Sequence, residues 1–158
     1  MQTSNQMSPA PSTKPNRIPQ VDIIGAWLFI FIGVIGFLDA AYLTIERFRG
    51  VIPACTIVSG CEKVLISQYS HIGPLPISLL GMVYYATIII GALLFLDFKK
   101  IHFLHLLAAY TLLGIFASAY FLYLQIFIIQ ALCFYCLVSA FTSTMLFFNG
   151  WYIYRKTT

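Results

Sequence analysis

Long apolar runs, separated by short polar segments, divide this chain. One run covers residues 21–45 and another covers residues 76–98, where two lysines end it. Residues 101–154 then contain no Asp, Glu, Lys or Arg. About 20 residues of helix cross a bilayer, so this last stretch is long enough for two crossings joined by a tight turn. Backbone groups find no water in hydrocarbon, which favours helices. The pattern predicts an all-α integral membrane protein with a bundle of four transmembrane helices.

The bounds of the helices and of their connections follow from these runs. The predicted helices cover about residues 21–45, 76–98, 101–125 and 129–153. A loop of residues 46–75 joins the first helix to the second, and the tight turn falls near Gln125 and Gln130. Residues 1–20 are polar and rich in proline, a composition typical of a disordered tail. One membrane domain of residues 21–155 follows this tail.

Composition and charge agree with a membrane protein and indicate its orientation. The chain is 60% hydrophobic and only 9% charged, whereas soluble domains carry about 25% charged residues. Six cations fall on one side of a four-pass chain, namely Lys14, Arg17, Lys99, Lys100, Arg155 and Lys156. Three fall on the other side, namely Arg47, Arg49 and Lys63. The excess favours the first side as cytoplasmic, with both termini inside and the chain in the plasma membrane. The cations form no basic face, which argues against a nucleic-acid partner.

The four cysteines fall at one side of the predicted bundle. Cys55 and Cys61 belong to the long loop, and Cys133 and Cys136 stand at the start of the fourth helix as Cys-Phe-Tyr-Cys. The predicted topology depends on charge alone, yet it puts both pairs at the outer face. The outer compartment permits disulfides.

The surroundings of each pair favour reactive thiols. A spacing of three residues puts Cys133 and Cys136 on one helix face, where the positive end of the helix dipole favours the thiolate needed for disulfide exchange. Ser59 and Glu62 have the spacing of a capping box, which predicts a short extracytoplasmic lid helix beginning beside Cys61. Two exchangeable pairs at different depths suggest a relay of electrons.

Two other interpretations of the cysteines stay open on spacing alone. Four cysteines in an oxidising compartment could form two structural disulfides in a membrane scaffold without activity. They could also bind zinc or copper, but zinc ribbons usually carry two Cys-x-x-Cys knuckles and this chain has one such spacing. We therefore expect no metal.

Several motifs together resemble the bacterial branch of the vitamin K epoxide reductase family. They run in order over about residues 20–155. The resemblance is carried by Ala41-Tyr42-Leu43-Thr44, Cys55, Cys61-Glu62-Lys63-Val64-Leu65, Ser67, Gly73-Pro74-Leu75-Pro76-Ile77-Ser78-Leu79-Leu80-Gly81, Tyr84-Tyr85 and Cys133-Phe134-Tyr135-Cys136.

The resemblance implies a role for each cysteine. Cys55 would accept electrons from the thiols of a partner, and Cys61 would exchange with Cys133. Cys136 would then face a quinone, either ubiquinone or menaquinone, as the electron acceptor. The partner implied is a thioredoxin-fold (DsbA-like) protein that introduces disulfides into secreted chains. The chain ends at Thr158 without such a domain, so a separate partner protein is expected.

The resemblance also implies a pocket for the quinone. Ser67 resembles a family hydroxyl near this site, and Leu80 and Tyr84 resemble residues that line it. Vertebrate members that reduce the epoxide carry Asn where Ile77 stands and Tyr where Ala140 stands. Because both polar groups are missing, disulfide generation is favoured over epoxide reduction, which remains the alternative. The sequence does not assign a role to Asp39, inside the first helix, or to His71.

Overall fold

The computed structural model describes residues 20–51, 60–73 and 75–157 of the chain. Its helices are α1 (Gln20–Arg49), α2 (Cys61–Ile66), α3 (Ile77–Phe98), α4 (Ile101–Tyr123) and α5 (Phe134–Thr157). A 3₁₀ turn (Gln68–Ser70) and two paired strands, β1 (His71–Ile72) and β2 (Leu75–Pro76), connect α2 to α3, and a π-helical turn (Leu124–Ile129) extends α4. The predicted tail up to residue 19 lies outside the described residues, as do Cys55 and Ser59.

Four of these helices are long and apolar enough to cross a membrane. They are α1, α3, α4 with its π-helical turn, and α5. The prediction of a four-helix membrane bundle is thereby confirmed. The helix α1 has 30 residues, which at 1.5 Å per residue is about 45 Å. This exceeds the roughly 30 Å of a hydrocarbon core, so α1 extends beyond the membrane.

The four spans form a closed ring around a packed interior. In this ring α1 contacts α3 and α5, and α4 contacts the same two helices. Phe29, Ile88 and Leu146 are fully buried in its core. Bulky side chains such as Phe31 and Phe116 cover the outside. Lipid accepts this apolar exterior, and close packing together with polar contacts must therefore hold the helices to each other.

Tyr85 of α3 contacts α1 through its ring and α5 through its hydroxyl. The ring fills the space beside Gly36 of α1, where any Cβ would overlap it. The hydroxyl lies 2.7 Å from the hydroxyl of Thr142 and 3.1 Å from that of Ser143, and it donates to the carbonyl of Ser139 at 2.9 Å. Because Tyr85 is only 1% exposed, these bonds replace all contact with water or headgroups.

Replacing Tyr85 with phenylalanine should destabilise the bundle without changing its shape. The hydroxyls of α5 would lose a buried partner, which costs about 1–3 kcal/mol. Thermal denaturation in detergent should show a lower midpoint for Tyr85→Phe. Tyr120→Phe is the matched control, because Tyr120 is exposed on the lipid side of α4 and its substitution should leave the midpoint unchanged. Equal midpoints for the two variants would contradict a stabilising role for the Tyr85 hydroxyl.

The outer end of α1 is tied to the segment that carries Cys61. The helix continues to Arg49, four residues beyond the predicted end at 45, and closes on Gly50, whose φ of 69° is left-handed. The Gly50 N–H bonds to the carbonyl of Arg47, and the next N–H bonds to that of Glu46, which is a Schellman termination. The longer helix brings the Arg47 guanidinium to the carbonyl of Leu65, to which it donates at 2.8 Å.

Residues 60–73, called the lid below, hold the short helix α2 at the cysteine end of the bundle. The helix begins at Cys61 with Gly60 as its N-cap and has no side-chain cap. Glu62 is therefore the second helical residue, one position earlier than the capping box with Ser59 requires, and that prediction does not describe this helix. Its last turn ends at Ser67, whose N–H bonds to the carbonyl of Val64.

The connection between α4 and α5 is longer than predicted. The chain stays helical through Ile129 by widening into a π-helical turn, and α5 begins at Phe134, five residues after the predicted start at 129. The carbonyl of Gln125 accepts the N–H groups of both Gln130 and Ala131. This one residue closes the turn. Single π-helical turns inside α-helices are frequent at functional sites.

Candidate active site

Cys133 and Cys136 occupy the first turn of α5. The Cys133 carbonyl accepts the Leu137 N–H at 3.1 Å, which makes Cys133 the N-cap residue. Its sulfur accepts the backbone N–H groups of Tyr135 and Cys136, as a capping side chain does. Both cysteines are free thiols. The N–H groups of the first turn of α5 have no carbonyl partner within the helix, and the Cys133 sulfur accepts two of them. These N–H groups stabilise a negative charge on that sulfur.

The two thiols are hydrogen-bonded to each other, and the bond favours a charge on Cys133. The Cys136 thiol donates to the Cys133 sulfur. This bond, together with the backbone N–H groups of Cys136 and Tyr135, lowers the pKa of Cys133 to about 7 against the opposing effect of burial. A lowered pKa means that the Cys133 thiolate becomes the major form as the pH rises through about 7. Cys133 therefore has the character of an attacking thiolate near neutral pH.

Gln125 lies behind this pair and contacts both cysteines. Its side chain is buried, only 2% exposed, and its Oε1 accepts the Cys133 N–H at 2.9 Å. The same side chain hydrogen-bonds to the thiol of Cys136. In the sequence alone, Gln125 indicates only the position of a turn. The available signal was an amide eight residues before Cys133 in a run that is otherwise apolar.

The lid brings Cys61 to the same place. Cys61 and Cys133 are 1% and 0% exposed and share one apolar cluster, to which Val64 of the lid and the partly buried Cys136 also belong. Cys61 is disulfide-bonded. Since Cys133 and Cys136 are free thiols, neither of them is its partner here. The predicted exchange pair, Cys61 and Cys133, is thus adjacent in space.

A glycine allows this close approach of the lid to the start of α5. A Cβ added to Gly60 would lie 2.5 Å from the carbonyl oxygen of Leu132 and 2.8 Å from its nitrogen. Both atoms are backbone atoms of the residue before Cys133. Only glycine lets the chain before Cys61 lie against the chain before Cys133.

A cavity of about 480 Å³ opens on the other side of Cys136. Its lining includes the lid and all four spans, and it holds each predicted pocket residue, namely Ser67, Leu80, Tyr84 and Cys136. Of the three cysteines that the structure describes, Cys136 alone lines it. The two inner sulfurs therefore face different surroundings. Cys133 faces the lid, and Cys136 faces the cavity.

Two polar atoms at this cavity have no hydrogen-bond partner among the described residues. They are the hydroxyl of Tyr84 and the Oδ2 of Asp39, both buried. The ring of Tyr84 stacks on that of Tyr110 with centroids 5.2 Å apart, and its hydroxyl lies against Gly114. Leaving a buried hydroxyl unpaired is costly, and the Tyr84 hydroxyl is therefore an available hydrogen-bond donor in a residue that lines the cavity.

The remaining predicted positions differ in how they meet the cavity. The Ser67 hydroxyl donates to the carbonyl of Val64 at 2.7 Å, so it closes α2 in this structure. Ile77 and Ala140 both line the cavity, and their side chains offer it no hydrogen bond. His71 is in β1, where its ring lies 3.4 Å from the Ser70 hydroxyl, and it is outside the lining.

Comparison with known proteins agrees with these features. The model of the Vitamin K epoxide reductase family matches residues 27–151. The chain is also 39% identical over 120 residues to the protein named Thiol-disulfide oxidoreductase LTO1 of Arabidopsis thaliana. That match covers 70% of this chain and 32% of the plant protein, so the chain spans about a third of this relative.

Proposed function

Since the chain belongs to the vitamin K epoxide reductase family, we propose that it is a quinone-dependent oxidoreductase that oxidises the thiols of a thioredoxin-fold partner. The observation that carries this proposal is that Cys133 and Cys136, called the inner pair below, face different surroundings. Cys133 shares one buried cluster with Cys61, and Cys136 lines the cavity. A dithiol in contact with a second cysteine on one side and a ligand cavity on the other can pass electrons between them. The oxidised partner would then form disulfides in secreted proteins.

Electrons would arrive through the cysteines of the loop. A thiolate of the partner attacks the Cys55–Cys61 disulfide at Cys55, and a second partner thiol releases the partner in oxidised form. Cys55 and Cys61 are left as a dithiol, having taken two electrons and two protons. Cys55 lies outside the described residues, and its assignment as the partner of Cys61 is part of the proposal.

The same exchange would then carry the electrons inward. Cys61 attacks an oxidised Cys133–Cys136 pair at Cys133, and Cys55 resolves the mixed disulfide. This restores the outer disulfide and leaves two inner thiols. The oxidation states in the structure fit the moment after this step, because Cys61 is disulfide-bonded and both inner cysteines are free.

The cavity suits a quinone in size, polarity and position. Its volume of about 480 Å³ falls within the range of roughly 300–1,000 Å³ typical of small-molecule sites. Leu80 contributes an apolar wall, and Cys136 supplies the sulfur. The Tyr84 hydroxyl, which has no partner among the described residues, would donate a hydrogen bond to a quinone oxygen. A bound quinone would supply an acceptor for two electrons and two protons. On the protein side, Cys133 and Cys136 lose those electrons and protons and close a disulfide.

The orientation of the chain belongs to the same proposal. The sequence carries more cations in the segments opposite to the cysteine-bearing connections, and this excess supports an orientation with those segments in the cytoplasm. The cysteines then face the outside of a plasma membrane, where a secreted partner meets them and disulfides persist.

Two other functions receive less support from the described residues. Epoxide reduction would need polar groups where Ile77 and Ala140 line the cavity. A scaffold with two structural disulfides would need a bond between Cys133 and Cys136, which are free thiols.

Reduction of quinone by the purified protein, with a reduced thioredoxin-fold protein as donor, tests the proposal. Ubiquinone and menaquinone should each be offered, and Cys55→Ala should abolish turnover with the protein donor. If the wild type reduces neither quinone with any thiol donor, the redox proposal is wrong and the scaffold is favoured. Offering the epoxide with a dithiol reductant tests the alternative directly.

Tyr84→Phe should weaken quinone binding and leave the fold intact. The Tyr84 hydroxyl has no partner among the described residues, so its loss removes an unpaired buried group and should not lower stability. A lost hydrogen bond to quinone should raise KM by about tenfold. Steady-state quinone reduction measures KM, with Tyr120→Phe as the control on the lipid side. An unchanged KM for Tyr84→Phe would show that the Tyr84 hydroxyl does not bind quinone.

A further inference from the structure

The amide of Gln125 touches both members of the inner pair in one fixed orientation. Its Oε1 accepts the backbone N–H of Cys133. A backbone N–H can only donate, so the oxygen of the amide must point to Cys133 and the nitrogen must point away. The hydrogen bond from this side chain to the Cys136 thiol therefore comes from Nε2, which carries two donor protons and no acceptor.

The two sulfurs compete for one negative charge. Cys133 is favoured by the N–H groups of the first turn and by the thiol of Cys136. Cys136, however, is the sulfur that lines the cavity. For electrons to leave through the cavity, the charge has to reside on Cys136 for part of the time. A group other than the N-terminus of α5 must therefore stabilise the negative charge on the Cys136 sulfur.

We propose that Gln125 is a positioning residue that lets the thiolate move from Cys133 to Cys136 by donating its amide N–H to the Cys136 sulfur. In this step one proton leaves the Cys136 sulfur along its hydrogen bond and binds the Cys133 sulfur, so the pair keeps its total charge. The donor of Gln125 replaces the proton that Cys136 gives up. The inference rests on the proposed function, because a charge on Cys136 matters for the reduction of quinone.

Among the described residues, the other groups around Cys136 are not seen to donate a hydrogen bond to its sulfur. Asp39 of α1 is electrostatically coupled to the sulfur, and a carboxylate opposes a second negative charge. Tyr135, the neighbour of Cys136 on α5, hydrogen-bonds with Tyr42 of α1. From α3, Tyr84 lines the same cavity with a hydroxyl that has no partner among the described residues. Of the residues that the structure describes, Gln125 is the side-chain N–H donor that lies at the Cys136 sulfur.

The position of Gln125 makes the contact rigid. The residue lies in the π-helical turn, where its carbonyl accepts the N–H groups of Gln130 and Ala131, and its side chain is 2% exposed. Backbone and side chain are thus both held by the connection that leads into Cys133. A buried donor held in place before the charge develops costs little to reorganise.

The rate of thiol alkylation at each cysteine, measured against pH, tests the inference without quinone or partner. Only the thiolate reacts, so the profile reports where the charge resides. Purified protein in detergent is treated with iodoacetamide between about pH 6 and 9, and modification of Cys133 and Cys136 is quantified separately by mass spectrometry. In Gln125→Met, which keeps the shape without the donor, modification of Cys136 near neutral pH should fall by about tenfold. Modification of Cys133 should fall less.

Gln130→Met is the matched control, because it makes the same substitution in the same turn at an exposed residue. Its profile should equal that of the wild type. A second variant, Gln125→Asn, keeps an amide one methylene shorter and serves if Gln125→Met does not fold; it should also slow modification of Cys136. Unchanged Cys136 profiles, or equal losses at Cys133 and Cys136, would overturn the inference. Because the assay contains neither quinone nor partner, failure here differs from failure of the proposed function, which would appear as absent quinone reduction.

Discussion

Replacing Cys136 with alanine is expected to abolish quinone reduction and to trap Cys133 in a disulfide with Cys61. Cys133 carries thiolate character near neutral pH, with a pKa of about 7 in the intact pair, and it lies in the same buried cluster as the disulfide-bonded Cys61. When the Cys133 thiolate attacks Cys61, the Cys133–Cys61 bond forms, the proposed Cys55–Cys61 bond breaks and Cys55 leaves as a thiolate. In the wild type, Cys136 can break the mixed disulfide by attacking Cys133. The variant lacks that resolving thiol.

Turnover and cross-linking can be measured on the same sample. Quinone reduction should fall by about a thousandfold or more, as expected when a member of a catalytic unit is lost. Digestion without reductant, followed by mass spectrometry, should recover the peptides of Cys61 and Cys133 joined to each other. The double variant Cys133→Ala/Cys136→Ala should lack the cross-link while keeping the fold. Turnover above a tenth of the wild-type rate in Cys136→Ala would show that Cys136 is not the sulfur that reduces quinone.

Replacing Gly60 with alanine should disconnect the lid from the inner pair. The added Cβ would meet the backbone of Leu132 at 2.5 Å, and a backbone atom in a packed turn cannot move aside as a flexible side chain can. The lid must therefore shift, and Cys61 shifts with it away from Cys133. Displacing a reacting group by about 1 Å costs roughly a hundredfold in rate. We expect turnover with the protein donor to fall by about ten- to a hundredfold.

The two halves of the reaction separate this effect from general damage. Protein whose cysteines have been reduced with dithiothreitol, and from which the reductant has been removed, should still reduce quinone once at the wild-type rate, because the cavity and Cys136 are untouched. Gly73→Asn is the control in the same lid. Gly73 has a φ of 63° and no neighbour within 4 Å of an added Cβ, and asparagine tolerates this conformation. If Gly60→Ala turned over with the protein donor at the wild-type rate, close approach of the lid to the start of α5 would not be required for the reaction.

The sequence predicts the spans well because lipid imposes a simple rule. A run of about 20 apolar residues must form a helix in hydrocarbon, so length and charge are sufficient to find four spans. The ends of the spans are harder to predict. Arg47 and Arg49 extend α1 because their charges lie beyond the apolar core and Gly50 supplies a left-handed termination. The connection before Phe134 departs from a simple turn because the carbonyl of Gln125 accepts two N–H groups and keeps the chain helical.

The sequence by itself determined the four-helix membrane fold, the family resemblance and the chemistry that four cysteines make possible, since each of these depends on composition or on local spacing. The tertiary structure alone decided how that chemistry is divided. Cys133 and Cys136 are three residues apart in one helix turn, yet one meets the lid and the other meets the cavity. Gln125 and Gly60 acquire their importance only through contacts with residues from other segments. Such contacts have no period along the chain, because they arise from the meeting of segments that only folding brings together.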